Sequence, residues 1–244
     1  LVVLAQKDFK IRYRNSALGF LWALLNPLAY MLILTIVFSF LFQITVRNYA
    51  GWLLIGLLIW RFFSIGTSGG LSSIVANPSL INKVYVPRYI IVLANNLANF
   101  LGATLEFAVF FPLLIFLGVG ISPFVLMLPV ILLVELWLVF SLSLSLSSLS
   151  LRFRDFYQLW DIALQLGFFL SPIVYDSTLI PVNYQLVYSL NPVTVLIGAT
   201  RKILLYNQLP TLTEGVGLFA SIGGFCLLGF LIFRRLERTF AEEL

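Results

Sequence analysis

Six stretches of this chain run long with almost no charge, and short polar clusters separate them. An α-helix needs roughly 17–25 predominantly apolar residues to cross the hydrocarbon core of a bilayer. Residues 20–42 carry no charge at all, and 49–75 are broken only by Arg61 and the glycine-rich run Gly66-Thr67-Ser68-Gly69-Gly70. Residues 89–117 enclose Glu106, 124–151 enclose Glu135, and 157–174 and 216–233 complete the set. The pattern predicts an all-α integral membrane protein with six transmembrane helices, a single domain over residues 1–244.

Two places depart from that rhythm. SLSLSLSSLSL, residues 141–151, alternates with a period of two, which in water reads as a strand. An isolated strand leaves its backbone unpaired in lipid, so a helix is expected. Its serines then spread over more than one face, as a surface for close helix packing or as a polar pore lining. The second departure is residues 176–210, two apolar pieces separated by Asn191-Pro192. Asn before Pro is a helix-start signal, and each piece is too short to cross. Short external re-entrant helices before the last span are expected here.

Residues 1–19 read as an amphipathic helix. Lys7, Lys10 and Arg14 fall on one side and Val2, Ala5, Phe9 and Tyr13 on another. Asp8 reaches Arg12 at i, i+4, while Leu4 and Ile11 fit neither stripe. Such a helix suits the membrane interface, as a topology anchor or as a binding element. The segment is too charged, and the apolar run after it too long, for a signal peptide. The chain begins at Leu1 rather than Met, so a few preceding residues are expected.

Charge orients the spans. Lys7, Lys10, Arg12, Arg14, Lys83, Arg88, Arg152, Arg154, Arg234, Arg235 and Arg238 lie on the side of the termini; Arg47, Arg201 and Lys202 lie opposite. The excess of basic residues places both termini in the cytoplasm. Composition agrees with a lipid solvent: 61% of the residues are apolar and 10% charged, against about 25% charged in soluble domains. The net charge of +5 is dispersed between apolar runs, so no nucleic-acid-binding stripe forms. Cys226 is the only cysteine and there is no histidine. An intrachain disulfide, a histidine metal site and a Ser-His nucleophile are thereby excluded. No G-x-x-x-x-G-K-[ST] run is present, so the chain has no P-loop for ATP. Asp161 and Asp176 lack the motifs of an intramembrane aspartyl protease. No catalytic, cofactor-binding or metal-binding residue is expected, and the chain reads as a transporter rather than an enzyme.

The remaining candidates are few. Glu106 follows Tyr89 by 17 residues and Glu135 follows Phe124 by 11, which puts both acids near mid-depth. They could share a proton, as in a proton-coupled secondary transporter, or stand as mostly neutral glutamates hydrogen-bonded between helices. Neither of their two spans holds a Lys or Arg to complete a relay. Tyr157, Asp161, Leu164 and Phe168 share a helix face, and Tyr30, Phe38 and Phe42 lie within a third of another circumference. Aromatic faces flanked by polar groups suit sliding contact with sugar rings, although core packing serves any one of them equally. On the cytoplasmic side, Asn77-Pro78-Ser79 opens a short helix that Pro87 ends, a segment over residues 77–88 that a soluble partner could grip.

KDFKIRYRNSALGFLWALLNPL (7–28), FRDFYQLWDIALQLGFFLSPIVY (153–175) and LNPVTVLIGATRKILL (190–205) together resemble the ABC-2-type permeases that export cell-surface polysaccharides. O-antigen, teichoic-acid and capsular-polysaccharide exporters belong there, and the O-antigen type is the most similar. The resemblance implies a half-transporter of the bacterial cytoplasmic (inner) membrane. A homodimer would form the channel, and two copies of a separate ATPase, holding ATP and Mg, would dock below it. Ser79, Leu80, Asn82, Lys83, Tyr85 and Pro87 would belong to the coupling helix, residues 1–19 to the interface helix and 176–210 to external gating helices. The cargo would be a polysaccharide on a polyprenyl diphosphate, such as the O-antigen of lipopolysaccharide biosynthesis. Its anionic diphosphate would be drawn to Lys10, Arg12 and Arg14. ATP binding in the partner would separate spans one and five, and the glycan would advance along Tyr30, Phe38, Phe42, Tyr157 and Phe168. No residue names sugar uniquely, so export of a small molecule or drug is the other outcome within the family.

Overall fold

In the computed structural model, residues 4–6, 21–41, 46, 48–77, 87–120, 123–153 and 155–236 are described. Every regular element among them is helical. Helix α1 spans Leu21–Ile36 and passes into a π-helical turn, Val37–Leu41. Helix α2 spans Tyr49–Ser73, α3 Arg88–Phe116, and α4 Leu128–Arg152. Helix α5 covers Phe156–Leu170, α6 Val182–Ser189, α7 Pro192–Leu204 and α8 Leu212–Leu236.

Five helical stretches among the described residues are long and apolar enough to cross a membrane: Leu21–Ser39, Tyr49–Ser73, Arg88–Phe116, Pro123–Arg152 and Glu214–Leu236. The stretch expected over residues 157–174 differs. Helix α5 has 15 residues, a rise of about 22 Å against a hydrocarbon core of about 30 Å. It stops because Ser171 adopts an extended backbone (φ −103°, ψ 148°). Ser171 precedes Pro172, whose ring disfavours the helical region for the residue before it. Residues 171–174 leave the helix yet stay buried, a non-helical strap inside an apolar protein.

Helix α2 is the centre of the bundle, packed by α1, α3, α4, α5 and α7. Its apolar residues run all round the axis, the pattern of a buried helix, and Leu53, Leu54, Ile55 and Ile59 have no exposure. The serine run forms the second half of α4, a helix as expected. Ser141, Ser143, Ser145, Ser147, Ser148 and Ser150 are all buried, so they pack helices and do not line a pore. Ser150 Oγ donates to the Leu71 carbonyl of α2 at 2.9 Å. A Cβ on Gly70 would collide with Ser143, so a side chain smaller than alanine brings α2 and α4 together. The run 66–70 also carries a G-x-S-x-G spacing. Inside a helix, in a chain without histidine, that spacing is a packing surface and not a nucleophile elbow.

By contrast α1 and α8 turn large apolar side chains outward, Trp22, Leu32 and Ile33 on one, Phe219, Leu227 and Leu231 on the other. Lipid or another chain is the solvent for such faces. Within residues 176–210 the two short helices appear as α6 and α7. Asn191 caps α7, its Oδ1 accepting from the Val193 N–H at 3.1 Å, and Pro192 takes the first position. Of residues 1–19 only Leu4–Gln6 are described, and they are helical; Lys10, Arg12 and Arg14 lie outside the described residues. So do Phe42, Ser79, Leu80, Asn82, Lys83 and Tyr85. Pro87 is described and immediately precedes α3.

Candidate functional site

A cleft of about 450 Å³ opens between α1, α2 and α5. Pro27, inside α1, has no N–H for the helix ladder, and Asn26 and Tyr30 flank it on the cleft. From α2 come Trp60, Arg61 and Ser64, and from α5 Leu164, Gln165, Phe168 and Phe169. Trp60 meets Phe168 edge-on with ring centroids 6.0 Å apart. Trp160 Nε1 donates to Thr67 Oγ1 at 3.2 Å, fixing α5 against α2. The cleft continues along α2 as a groove lined by Ser64, Ile65, Ser68, Gly69 and Ser72, with the three serines spaced i, i+4 on a single face.

Of the aromatics singled out from the sequence, Tyr30 and Phe168 meet at this cleft, and Tyr30 is 55% exposed. Phe38 instead packs against the core. Tyr157 lies in the first turn of α5, about 16 Å along the helix from Phe168, and is half-buried. Trp60, Gln165 and Asn26 were not anticipated. Trp60 neighbours Arg61 in sequence, and a charge within an apolar span was the signal that could have found both.

The two acids do not form a pair. Arg61 Nε donates to Glu106 Oε1 at 3.2 Å and Oε2 at 3.1 Å, so the partner of Glu106 comes from α2. The two spans that carry the acids, residues 89–117 and 124–151, supply no cation of their own; the one that meets Glu106 comes from the neighbouring α2. Glu135 is fully buried on α4, and neither of its oxygens has a hydrogen-bond partner among the described residues. No hydrogen bond joins Glu106 to Glu135.

At the end of the bundle where α7 packs, the geometry is closed. The strap at residues 171–174 exposes carbonyls that no helix satisfies, and in an apolar surrounding each would cost free energy. Arg201 of α7 answers two of them, Nη1 donating to the Pro172 carbonyl at 2.5 Å and Nη2 to the Ile173 carbonyl at 3.1 Å, while Nε donates to the Trp52 carbonyl of α2 at 3.1 Å. Its guanidinium carbon stands 3.2 Å from the centre of the Trp52 ring. Tyr49 hydroxyl donates to the Val174 carbonyl at 2.7 Å, and Asn191 Nδ2 to Ser171 Oγ at 3.1 Å. Burial pushes the Arg201 guanidinium down to about 9, partly opposed by Tyr206, Asp176, Tyr49 and Tyr188, so it stays a cation at neutral pH. Burial, then the hydrogen bond to Tyr175, holds the Tyr188 hydroxyl above its ordinary range. Lys202, next in sequence, pairs with Glu214 and ties α7 to the start of α8. Sequence reading counted Arg201 only as an outer-side charge; its cage joins residues far apart in the chain.

Comparison with known proteins adds identity to this geometry. Residues 1–205 match the family described as ABC-2 type transporter. Two O-antigen export system permease proteins of Klebsiella pneumoniae, both named RfbA, are 31% and 32% identical, covering 100% of this chain and 94% of theirs. An O-antigen export system permease protein RfbA of Myxococcus xanthus is 30% identical over 100% of this chain and 95% of its own.

Proposed function

The chain belongs to the ABC-2 type transporter family, and from that premise we propose that it exports a lipid-linked polysaccharide such as O-antigen. It is a multi-pass membrane permease subunit, and its place is the cytoplasmic membrane of a bacterium. The names of its relatives in Klebsiella and Myxococcus supply the cargo class. The observation that carries the reading is the cleft. Tyr30, Trp60 and Phe168 offer ring faces to sugar C–H groups, while Asn26, Gln165 and Ser64 offer hydrogen bonds to hydroxyls.

Helix α5 and the strap after it together make the sixth crossing, which returns both termini to the cytoplasm as the basic residues require. Two copies of this chain then face each other across the cleft. A separate ATPase, two copies with ATP and Mg, docks on residues 77–88 around Ser79 to Pro87. Lys10, Arg12 and Arg14 receive the diphosphate at the cytoplasmic interface. Residues 176–210 gate the outer end.

The test is complementation. The chain is expressed with its cognate ATPase in a strain lacking its own O-antigen permease, and surface glycan is measured. Glycan at the surface that vanishes when the ATPase is inactivated is the expected result. Glycan that still appears with the ATPase inactive, and stops with a proton ionophore, would overturn the proposal.

A further inference from the structure

Arg61 is the middle residue of the 25-residue α2, a helix long and apolar enough to cross the bilayer, so a crossing puts it near mid-depth. A cation there is costly, and one that persists has a partner or a purpose. It has a partner, but an incomplete one. Only Nε faces Glu106, at 3.1 and 3.2 Å from the two carboxylate oxygens. A purely structural arginine–carboxylate pair tends to use two parallel N–H bonds. Here Nη1 and Nη2, which carry four of the five N–H donors of a guanidinium, make no hydrogen bond among the described residues.

The exposed part of the pair is the positive one. The Arg61 side chain is 21% exposed and Glu106 8%, and Arg61 is on the wall of the cleft. Arg61 and not Glu106 lines the cleft, and the carboxylate holds the guanidinium through Nε. Tyr30, Trp60 and Phe168 line the same cleft, aromatic surfaces that thin out water and so strengthen a charged hydrogen bond. Neutral sugar hydroxyls are served by Asn26, Gln165 and Ser64 without any charge. A forked guanidinium matches two oxygens of a phosphate.

We propose that Arg61, positioned by Glu106, is a mid-membrane binding site for a phosphate-class oxyanion carried by the cargo. The inference rests on the reading of this chain as an exporter of diphosphate-linked glycan. Such a cargo must bring its anion past the bilayer centre once per cycle, where an unpaired charge is least tolerated. Arg61 lowers that barrier at the depth where it is highest. It is a step distinct from the first contact assigned to Lys10, Arg12 and Arg14.

The test uses the full transporter, this chain with its ATPase, in lipid nanodiscs. Binding of a polyprenyl diphosphate is measured against the neutral polyprenol, with inorganic pyrophosphate as a separate arm. Arg61→Gln weakens polyprenyl diphosphate by about 10- to 100-fold, the loss expected of two charge-assisted hydrogen bonds, and Arg61→Lys falls between. Polyprenol binding is unchanged. The exchange Arg61→Glu with Glu106→Arg restores an ion pair, so it recovers thermal stability without recovering diphosphate binding. Wild-type affinity in Arg61→Gln, or in the exchanged pair, would overturn the proposal. Pyrophosphate weakened in parallel identifies the phosphate itself as the ligand; an effect confined to the polyprenyl form identifies the lipid headgroup. If the wild type binds the diphosphate but exports no glycan, the proposed function fails and this site stands. Export by Arg61→Gln at the wild-type rate fails the site alone.

Discussion

Arg61 projects from α2 and Arg201 packs against it, and the protein uses them in opposite ways. Arg201 is 5% exposed, and all three of its nitrogens donate to backbone carbonyls of Trp52, Pro172 and Ile173. Arg61 is part-exposed on a cleft and engages one carboxylate through Nε alone. In the first, the cation replaces hydrogen bonds that a broken helix cannot make for itself. In the second, most of the donors remain for a ligand. The difference is not residue type but how much of the fork the surrounding protein has already satisfied.

The comparison breaks first at Arg201. Arg201→Met leaves the Pro172 and Ile173 carbonyls of the buried strap without donors and should cost about 3–5 kcal/mol, read as a lower Tm in detergent. A Tm within error of the wild type would show that water or lipid serves the strap instead. Next comes Gly56→Ala, since a Cβ there would lie 2.6 Å from Arg201 Nη2. The expected loss is about 1–3 kcal/mol, and it shrinks in the Arg201→Met background because the two changes share one contact. Asn191→Ala removes the cap of α7 and the bond to Ser171, for about 1 kcal/mol by the same thermal measurement. The smallest stability effect belongs to the open side. Tyr30→Ala leaves stability within about 0.5 kcal/mol, yet slows glycan export severalfold in the complementation assay. Destabilisation as large as that of Arg201→Met would instead make Tyr30 a packing residue.

Legibility followed the range of each interaction. Asn191 as a cap was readable because its acceptor and donor are two residues apart. The serine run was readable as a helix because lipid forbids the lone strand. The end of α5 was written in Ser171-Pro172, but the apolar character of the residues that follow carried the span past it. Arg61 was seen as an interruption and Glu106 as an intramembrane acid, yet 45 residues separate them and nothing local paired them. Arg201 was harder still: its acceptors lie 28, 29 and 149 residues away and are backbone atoms, which no side-chain pattern displays.

What the sequence determined by itself was the solvent and the elements. Apolar length and charge placement act residue by residue, so the lipid environment, the five long helices and the cap of α7 are legible in one dimension. Tertiary structure decided which charges were already satisfied and which remained free to act. Burial and hydrogen-bond partners depend on groups brought together only by packing, and it is packing that made one arginine a clamp and the other the edge of a cleft.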